Sequence, residues 1–328
     1  MSSDITSPNS AALVTAVAAA EEFASFALSE GTRTTYRKAY ALFRERCEAL
    51  GLVPLPCSED SLCAVIGAMA ADGLTAASLT VVLAAVGMAH RLAEQPDPTI
   101  ATKARLIIKG VRNTRGTVKG RKQPLYALKR PGEAQSELDR VLDLMPPHGV
   151  FAKRDRALIL VGFAGALRRS ELCALEFSDI EETAQGLLIR IRRSKTDQAG
   201  EGAQVALPYG TQMKCPVDAL KAWLEVLITA GANTGKVFRS ITKDGVLSGS
   251  LHPDSVGRIL KRRFGAAGLD AAAYSGHSLR SGFLTSAADN GATVWQLVTV
   301  SRHKDVKSLS SYVHRRVAFD TWAGKGIL

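Results

Sequence analysis

His277-Ser-Leu-Arg280 and His303-Lys-Asp-Val-Lys-Ser-Leu-Ser-Ser-Tyr312 are the two stretches on which the reading of this 328-residue chain turns. They set two histidines, an arginine and a late tyrosine among predominantly apolar helical patterns. The imidazole of His277 and the guanidinium of Arg280 stand at i and i+3, facing one way from a helical turn. Such side chains suit the neutralisation of a phosphate and its attack by a phenol. Each stretch is weak alone, because an HxxR arises often by chance.

Working upstream, two further features fall in the same 150 or so residues. Ala166-Leu-Arg-Arg-Ser-Glu-Leu172 places two arginines where a buried helix, Arg156–Leu167, ends and another begins. An arginine embedded in apolar sequence needs a partner, because an unpaired charge stripped of water is prohibitive. Glu171, three residues after Arg168, shares its helical face and can hold the guanidinium; a purely structural Arg–Glu pair is the plain alternative. In Leu188-Ile-Arg-Ile-Arg-Arg193, Ile189 and Ile191 alternate with Arg190 and Arg192, the period of a half-buried strand. Turn residues 194–202 follow, then Val205 and Leu207 resume the alternation, so Lys195 lies at the start of a β-hairpin loop.

The rest of this region reads as helices. Ser136 caps one bearing Leu138, Val141, Leu142 and Met145, stopped by Pro146 and Pro147. Pro216 opens one with Leu220, Trp223 and Leu227. A helix over about 253–264 buries Val256, Ile259 and Leu260 and exposes Arg258, Lys261, Arg262 and Arg263. The predicted fold class is mainly α with a small antiparallel β-sheet.

The N-terminal part is all-helical. Tyr36, Tyr40, Phe43, Cys47 and Leu50 form one apolar stripe ended by Gly51 and Pro54. Ser58 caps a helix facing Leu62, Val65, Ile66 and Met69 inward, and Thr75 opens one with Leu79, Val82, Leu83 and Val86. A fourth spans about Thr99 to Val111. From Ala101 to Arg130 there are ten basic residues and no acid. The middle of that stretch has Gly and Pro but no apolar period, so it reads as a linker. The expected organisation is a flexible tail 1–25, a helical domain 26–113, a basic linker 114–130 and a second domain 131–328.

Composition bounds the partner. The net charge of +11 calls for something acidic, nucleic acid or an anionic membrane surface. The linker lacks the bulky apolar face that a membrane-surface helix needs, which leaves phosphate contact by Arg105, Lys109, Arg112, Arg115, Lys119, Arg121 and Lys122. The plain alternative is a solvated basic connector. Five scattered cysteines without a CxxC suit reduced core residues in a cytosolic protein. The apolar run Ala11–Ala20 has no basic residue before it and is too short to span a bilayer, so it reads as a packed helix and not a signal peptide. A cytoplasmic location is expected.

Taken as a set and in order, the motifs from Gly165 to Tyr312 resemble the tyrosine recombinases, the phage-integrase family. The resemblance covers roughly residues 131–328; the helical domain and linker are more loosely similar to that family's SAM-like core-binding domain. It implies Arg168 as the first phosphate-binding arginine with Glu171 in support, and Lys195 as the hairpin lysine. It further implies His277 and Arg280 as the HxxR box, His303 as the later histidine and Tyr312 as the nucleophile. It implies a 3′-phosphotyrosyl intermediate, no metal or other cofactor, and strand exchange between specific double-stranded DNA sites through a four-way (Holliday) junction. The implied assembly is a homotetramer whose C-terminal tail, with Val317, Phe319 and Trp322, packs on a neighbouring protomer. Two positions depart from the pattern: Ser281 stands where many members have histidine, and Arg302 where many have glycine. The competing readings are a topoisomerase of the same chemistry, a non-catalytic DNA-binding protein, and a metal-dependent nuclease. Of the other tyrosines, Tyr274 lies three residues before His277 and is expected to support the site, with nucleophile as the alternative.

Overall fold

The computed structural model describes residues 29–115, 122–192, 202–303 and 306–309. They divide between two compact units whose boundary falls between Lys119 and Gly120. The predicted tail 1–25 and the helix expected at Ala11–Ala20 lie outside the described residues.

In the first unit, α1 (Glu30–Ala49), α2 (Glu59–Ala71) and α3 (Ala76–Leu92) begin at Ser29, Ser58 and Thr75. Each of these side chains accepts a backbone N–H three residues on, at 3.3, 3.1 and 3.1 Å. A cap of this kind satisfies one otherwise orphaned donor and contributes about 1 kcal/mol. The predicted inward faces of α2 and α3 pack with Phe43 and Cys47 into one core. Leu50 departs from its stripe: it is the C-cap of α1 and 45% exposed, because the chain turns out of the helix at Gly51 with φ +65°. The fourth helix, α4 (Thr102–Arg115), starts later than expected, after a 3₁₀ turn at Pro98–Ile100, and runs past Val111. Arg115 is therefore helical and does not belong to the linker. Arg115 explains the extension, since its guanidinium donates to the Ala70 carbonyl at the end of α2.

The second unit begins before Pro131. Residues 122–127, expected in the linker, form a strap bonded to the body of the unit. Gln123 N–H donates to Ala273 O (2.7 Å), Leu125 N–H to Ser278 O (3.0 Å) and Ala127 N–H to Ser286 Oγ (3.0 Å). Leu125 is fully buried, and its apolar side chain is what turns a solvated connector into part of the core. After the strap come α5 (Glu137–Asp143), capped by Ser136, and α6 (Val150–Ala164). From Ala157 to Val161 α6 is buried on every side, as its unbroken apolar run predicted.

Beyond the short α7 (Arg169–Ala174), β1 (Ile180–Thr183), β2 (Gly186–Ile191) and β3 (Ala203–Pro208) form an antiparallel sheet in that order. Ile189 pairs with Val205 and Leu187 with Leu207, all four buried on one face. The predicted alternation holds; the loop with Lys195 lies outside the described residues. α8 (Pro216–Thr229) buries Leu220, Trp223 and Leu227, with the Trp223 indole donating to Val237 O at 2.9 Å. A second, two-stranded sheet, β4 (Arg239–Ile241) with β5 (Leu247–Ser250), was not anticipated. Its strands are three and four residues long, too short to show a period.

α9 (Pro253–Ala266) keeps its predicted apolar face. Its basic face needs correction. Arg262 is exposed as predicted, whereas Arg263, also predicted exposed, is half-buried; both reach Asp155 Oδ2, at 2.9 and 2.8 Å. Asp155 is fully buried on α6 and also holds Arg154 at 2.7 Å. A buried carboxylate needs such partners, and α9 supplies them. The unit closes with α10 (Ser278–Asp289) and α11 (Val294–Ser301). Among the described residues, no helix is long and apolar enough to cross a membrane, and all five cysteines are buried and unpaired with one another.

Candidate active site

Three chain segments far apart in sequence meet around one cationic centre. The first is the corner between α6 and α7. Arg168 is the N-cap of α7, with φ −73° and ψ 152°. Its extended backbone lets the Glu171 carboxylate reach back: Oε2 accepts the Arg168 N–H at 2.9 Å, and Oε1 accepts its Nη1 at 2.7 Å. The Glu171 side chain has no exposed surface, whereas Arg168 keeps 17%. The expected Arg168–Glu171 pair is therefore present, with the arginine on the accessible side.

The second segment is the N-terminal turn of α10. His277 is its N-cap and exposed, and Arg280 is buried to 1% exposure. Arg280 Nη1 donates to the Ala166 carbonyl at 2.5 Å, and Nη2 donates to the Ser301 carbonyl. One guanidinium thus bridges the α6–α7 corner and the end of α11. The two carbonyl acceptors orient it without cancelling its charge.

The third segment is the end of α11. Arg280 Nη2 lies 3.4 Å from His303 Nε2, and Ser301 Oγ lies 2.6 Å from His303 Nδ1. Burial, then the charges of Arg280, Arg168, His277 and Arg302, push the His303 pKa down to about 4. At neutral pH this imidazole is uncharged, able to donate one hydrogen bond but adding no positive charge. Burial pushes the Glu171 carboxyl up, but the Arg302 charge, together with the hydrogen bonds and charge of Arg168, overcomes it and holds the group below the usual range.

Of the residues singled out from sequence, the structure brings Arg168, Glu171, Arg280 and His303 together, with His277 at the rim. Lys195 and Tyr312 lie outside the described residues, as do Lys119 and Arg121. In the first unit, Arg105, Lys109 and Arg112 are exposed at spacings of four and three, one stripe along α4. Lys122 is exposed, and its ammonium bonds to Ala272 O at 2.6 Å. One contributor went unrecognised in the sequence: Ser301 fixes the His303 ring, and no pattern marks a lone serine. Arg302 stood out for occupying a turn position where many members have glycine, but its reach to Glu171 was not anticipated.

The alternative nucleophiles can be weighed. Tyr274 is 2% exposed and packs edge-on against Phe264 at 5.0 Å; burial, then the neighbouring Glu137 carboxylate, raises its pKa. The Tyr126 ring is buried and its hydroxyl donates to Asp289. Neither phenol is accessible, and Tyr274 is in addition harder to ionise than a free tyrosine.

Comparison with known proteins agrees with this geometry. The family model described as "Phage integrase family" matches residues 134–318. The integrase/recombinase xerD homolog of Selenomonas ruminantium is 32% identical over 291 residues, covering 88% of this chain and 82% of its own length. The recombinase cre of Escherichia phage P1 is 24% identical over 256 residues, covering 74% and 72%. Among solved structures, a lambda integrase (75–356) dimer bound to a COC′ core site superposes with TM-score 0.61. It covers 90% of this chain and 93% of that one at 19% identity, which shows a shared fold.

Proposed function

The chain belongs to the phage integrase family and is a tyrosine-type site-specific recombinase, and we propose that it cuts and rejoins DNA through a covalent 3′-phosphotyrosyl intermediate formed at Tyr312. The observation that carries this reading is the guanidinium of Arg280, buried to 1% exposure and tied to both the Arg168 corner and the His303 turn. Phosphoryl transfer needs charge at the non-bridging oxygens, an in-line nucleophile and a proton for the leaving oxygen. Arg168 and Arg280 bind those oxygens as planar forks, and the neutral His303 donates a hydrogen bond beside them. His277, exposed at the rim, takes the phenolic proton as Tyr312 attacks phosphorus. The bond from phosphorus to the 5′ oxygen breaks, and Lys195 protonates the departing oxygen. Attack by a 5′ hydroxyl reverses each of these transfers, so the bond energy is conserved.

The solvated stripe of Arg105, Lys109 and Arg112 serves the DNA backbone, a sequence-independent contact that sets affinity and its salt dependence. Exchange of two strand pairs through a four-way junction by a homotetramer, with the tail beyond Tyr312 seated on a neighbour, completes the proposal. A cytoplasmic setting accords with it.

A test needs duplexes on which the protein acts, obtained by selecting bound sequences from a random pool. Nicked forms of these, incubated in EDTA, are expected to give a protein–DNA adduct on a denaturing gel. Arg280→Ala should slow adduct formation by about 10²–10³-fold, the loss typical of removing one preorganised donor, while leaving DNA bound. Cleavage that requires Mg²⁺ would contradict the reading, as would loss of binding as complete as the loss of cleavage.

A further inference from the structure

We propose that Arg302 is a positioning residue for strand cleavage, clamping the Arg168–Glu171 corner to the His303 turn and leaving that corner net cationic. The inference rests on the recombinase reading above.

Arg302 caps α11 in the left-handed region, with φ 55° and ψ 41°. A non-glycine residue there carries steric strain that glycine would avoid. Its side chain is nonetheless folded inward to 11% exposure. Nη2 donates to Glu171 Oε2 at 2.7 Å, and Nη1 donates to Val300 O at 3.0 Å. The Nε–H is buried and makes no hydrogen bond among the described residues. A strained backbone and a desolvated, incompletely bonded guanidinium are both unfavourable, so the conformation persists because Glu171 holds it.

The consequence for Arg168 is electrostatic. In a pair with one arginine, a carboxylate cancels the charge it positions. Here Glu171 is divided: Oε1 holds Arg168 and Oε2 holds Arg302. Two guanidinium groups on one carboxylate leave a net charge of +1 at the corner before Arg280 is counted, so Arg168 is fixed without being neutralised. The same contact ties residue 302, and with it His303, to the turn carrying Arg168. Arg280 makes a parallel tie through carbonyls; Arg302 makes it chiefly through charge, with a long 3.5 Å hydrogen bond from Nη1 to Gly165 O beside it.

The test is single-turnover adduct formation on nicked duplex at saturating DNA, with affinity and melting temperature measured alongside. Arg302→Gly gives the turn the residue that suits its backbone, so melting temperature should hold or rise, and the DNA Kd should stay within about threefold. The cleavage rate is expected to fall about 10²-fold, the scale of a small misplacement of reacting groups. Arg302→Lys, with charge but no planar fork, should recover part of the rate. Since Arg302 acts through Glu171, adding Arg302→Gly to Glu171→Gln should slow cleavage little further. Wild-type-like cleavage by Arg302→Gly, or losses that multiply in the double variant, would overturn the assignment. Wild-type adduct in the same assay keeps failure of this inference distinct from failure of the recombinase reading.

Discussion

Tyr312→Phe is expected to abolish the covalent adduct completely while leaving DNA affinity within about twofold of wild type, because only a hydroxyl outside the phosphate-binding contacts is removed. Two observations combine here. Tyr312 follows His303 at nine residues, the spacing that the resemblance assigns to the nucleophile. The nearer candidates are unfit: Tyr274 is buried with its pKa raised, and the Tyr126 hydroxyl is engaged by Asp289. Free tyrosine, with a pKa near 10, is a poor nucleophile at neutral pH. In the proposed mechanism the positive charge of Arg168 and Arg280 beside the phosphate favours ionisation of the phenol. Adduct formation on a denaturing gel and affinity by gel shift check the two halves of the expectation. An adduct from the phenylalanine variant would place the nucleophile elsewhere.

Glu171→Ala should have the largest effect on stability. Its carboxylate has no exposed surface and holds two guanidinium groups that are 17% and 11% exposed. Removing it strands two charges of like sign in a poorly hydrated corner. Loss of one partner from a buried pair costs about 3–5 kcal/mol, so the melting temperature should drop by roughly 10 °C. Cleavage falls as well, since Arg168 loses the group that orients it. The same carboxylate makes stability pH-dependent. Its folded pKa lies below the unfolded value of about 4.3, so its contribution is fully present at neutral pH. The contribution is lost as pH falls through the depressed folded value. Wild-type protein is therefore expected to lose stability through this group only as pH falls below about 4, and the alanine variant should show a flatter profile there. Thermal melts between neutral and acid pH measure both effects; equal slopes would contradict the assignment.

What could be read from the sequence depended on whether a residue's role is set locally. Ser29 aside, the caps and inward faces of α2, α3, α5 and α8 follow from short-range rules, as does the β2–β3 alternation. The Arg168–Glu171 pair was legible from the spacing of three, although Arg168 makes it from the extended N-cap and not from a shared helical face. Contacts made at long range were not legible. Nothing near Leu125 marks it as a strap residue; its role comes from α10, more than 150 residues later. Arg262 and Arg263 look like a solvated face until Asp155, on another helix, is placed against them. His303 was legible as a hydrogen-bond donor, but the depth to which burial and the charges of Arg280 and Arg168 lower its pKa was not. The mainly helical fold with a small antiparallel sheet stands as read, whereas the second sheet and the electrostatics of the site required three dimensions.

In the proposed mechanism, residues 166–171, 277–280 and 301–303 hold one phosphate for attack by the tyrosine at 312. The most direct measurement is to digest the trapped adduct with protease and nuclease and locate the nucleotide-bearing residue by mass spectrometry. The expected product is a nucleotide joined through its 3′ phosphate to Tyr312, with a free 5′ hydroxyl on the released strand. A linkage to Tyr274 or any other residue, or a bond through a 5′ phosphate, would contradict the mechanism.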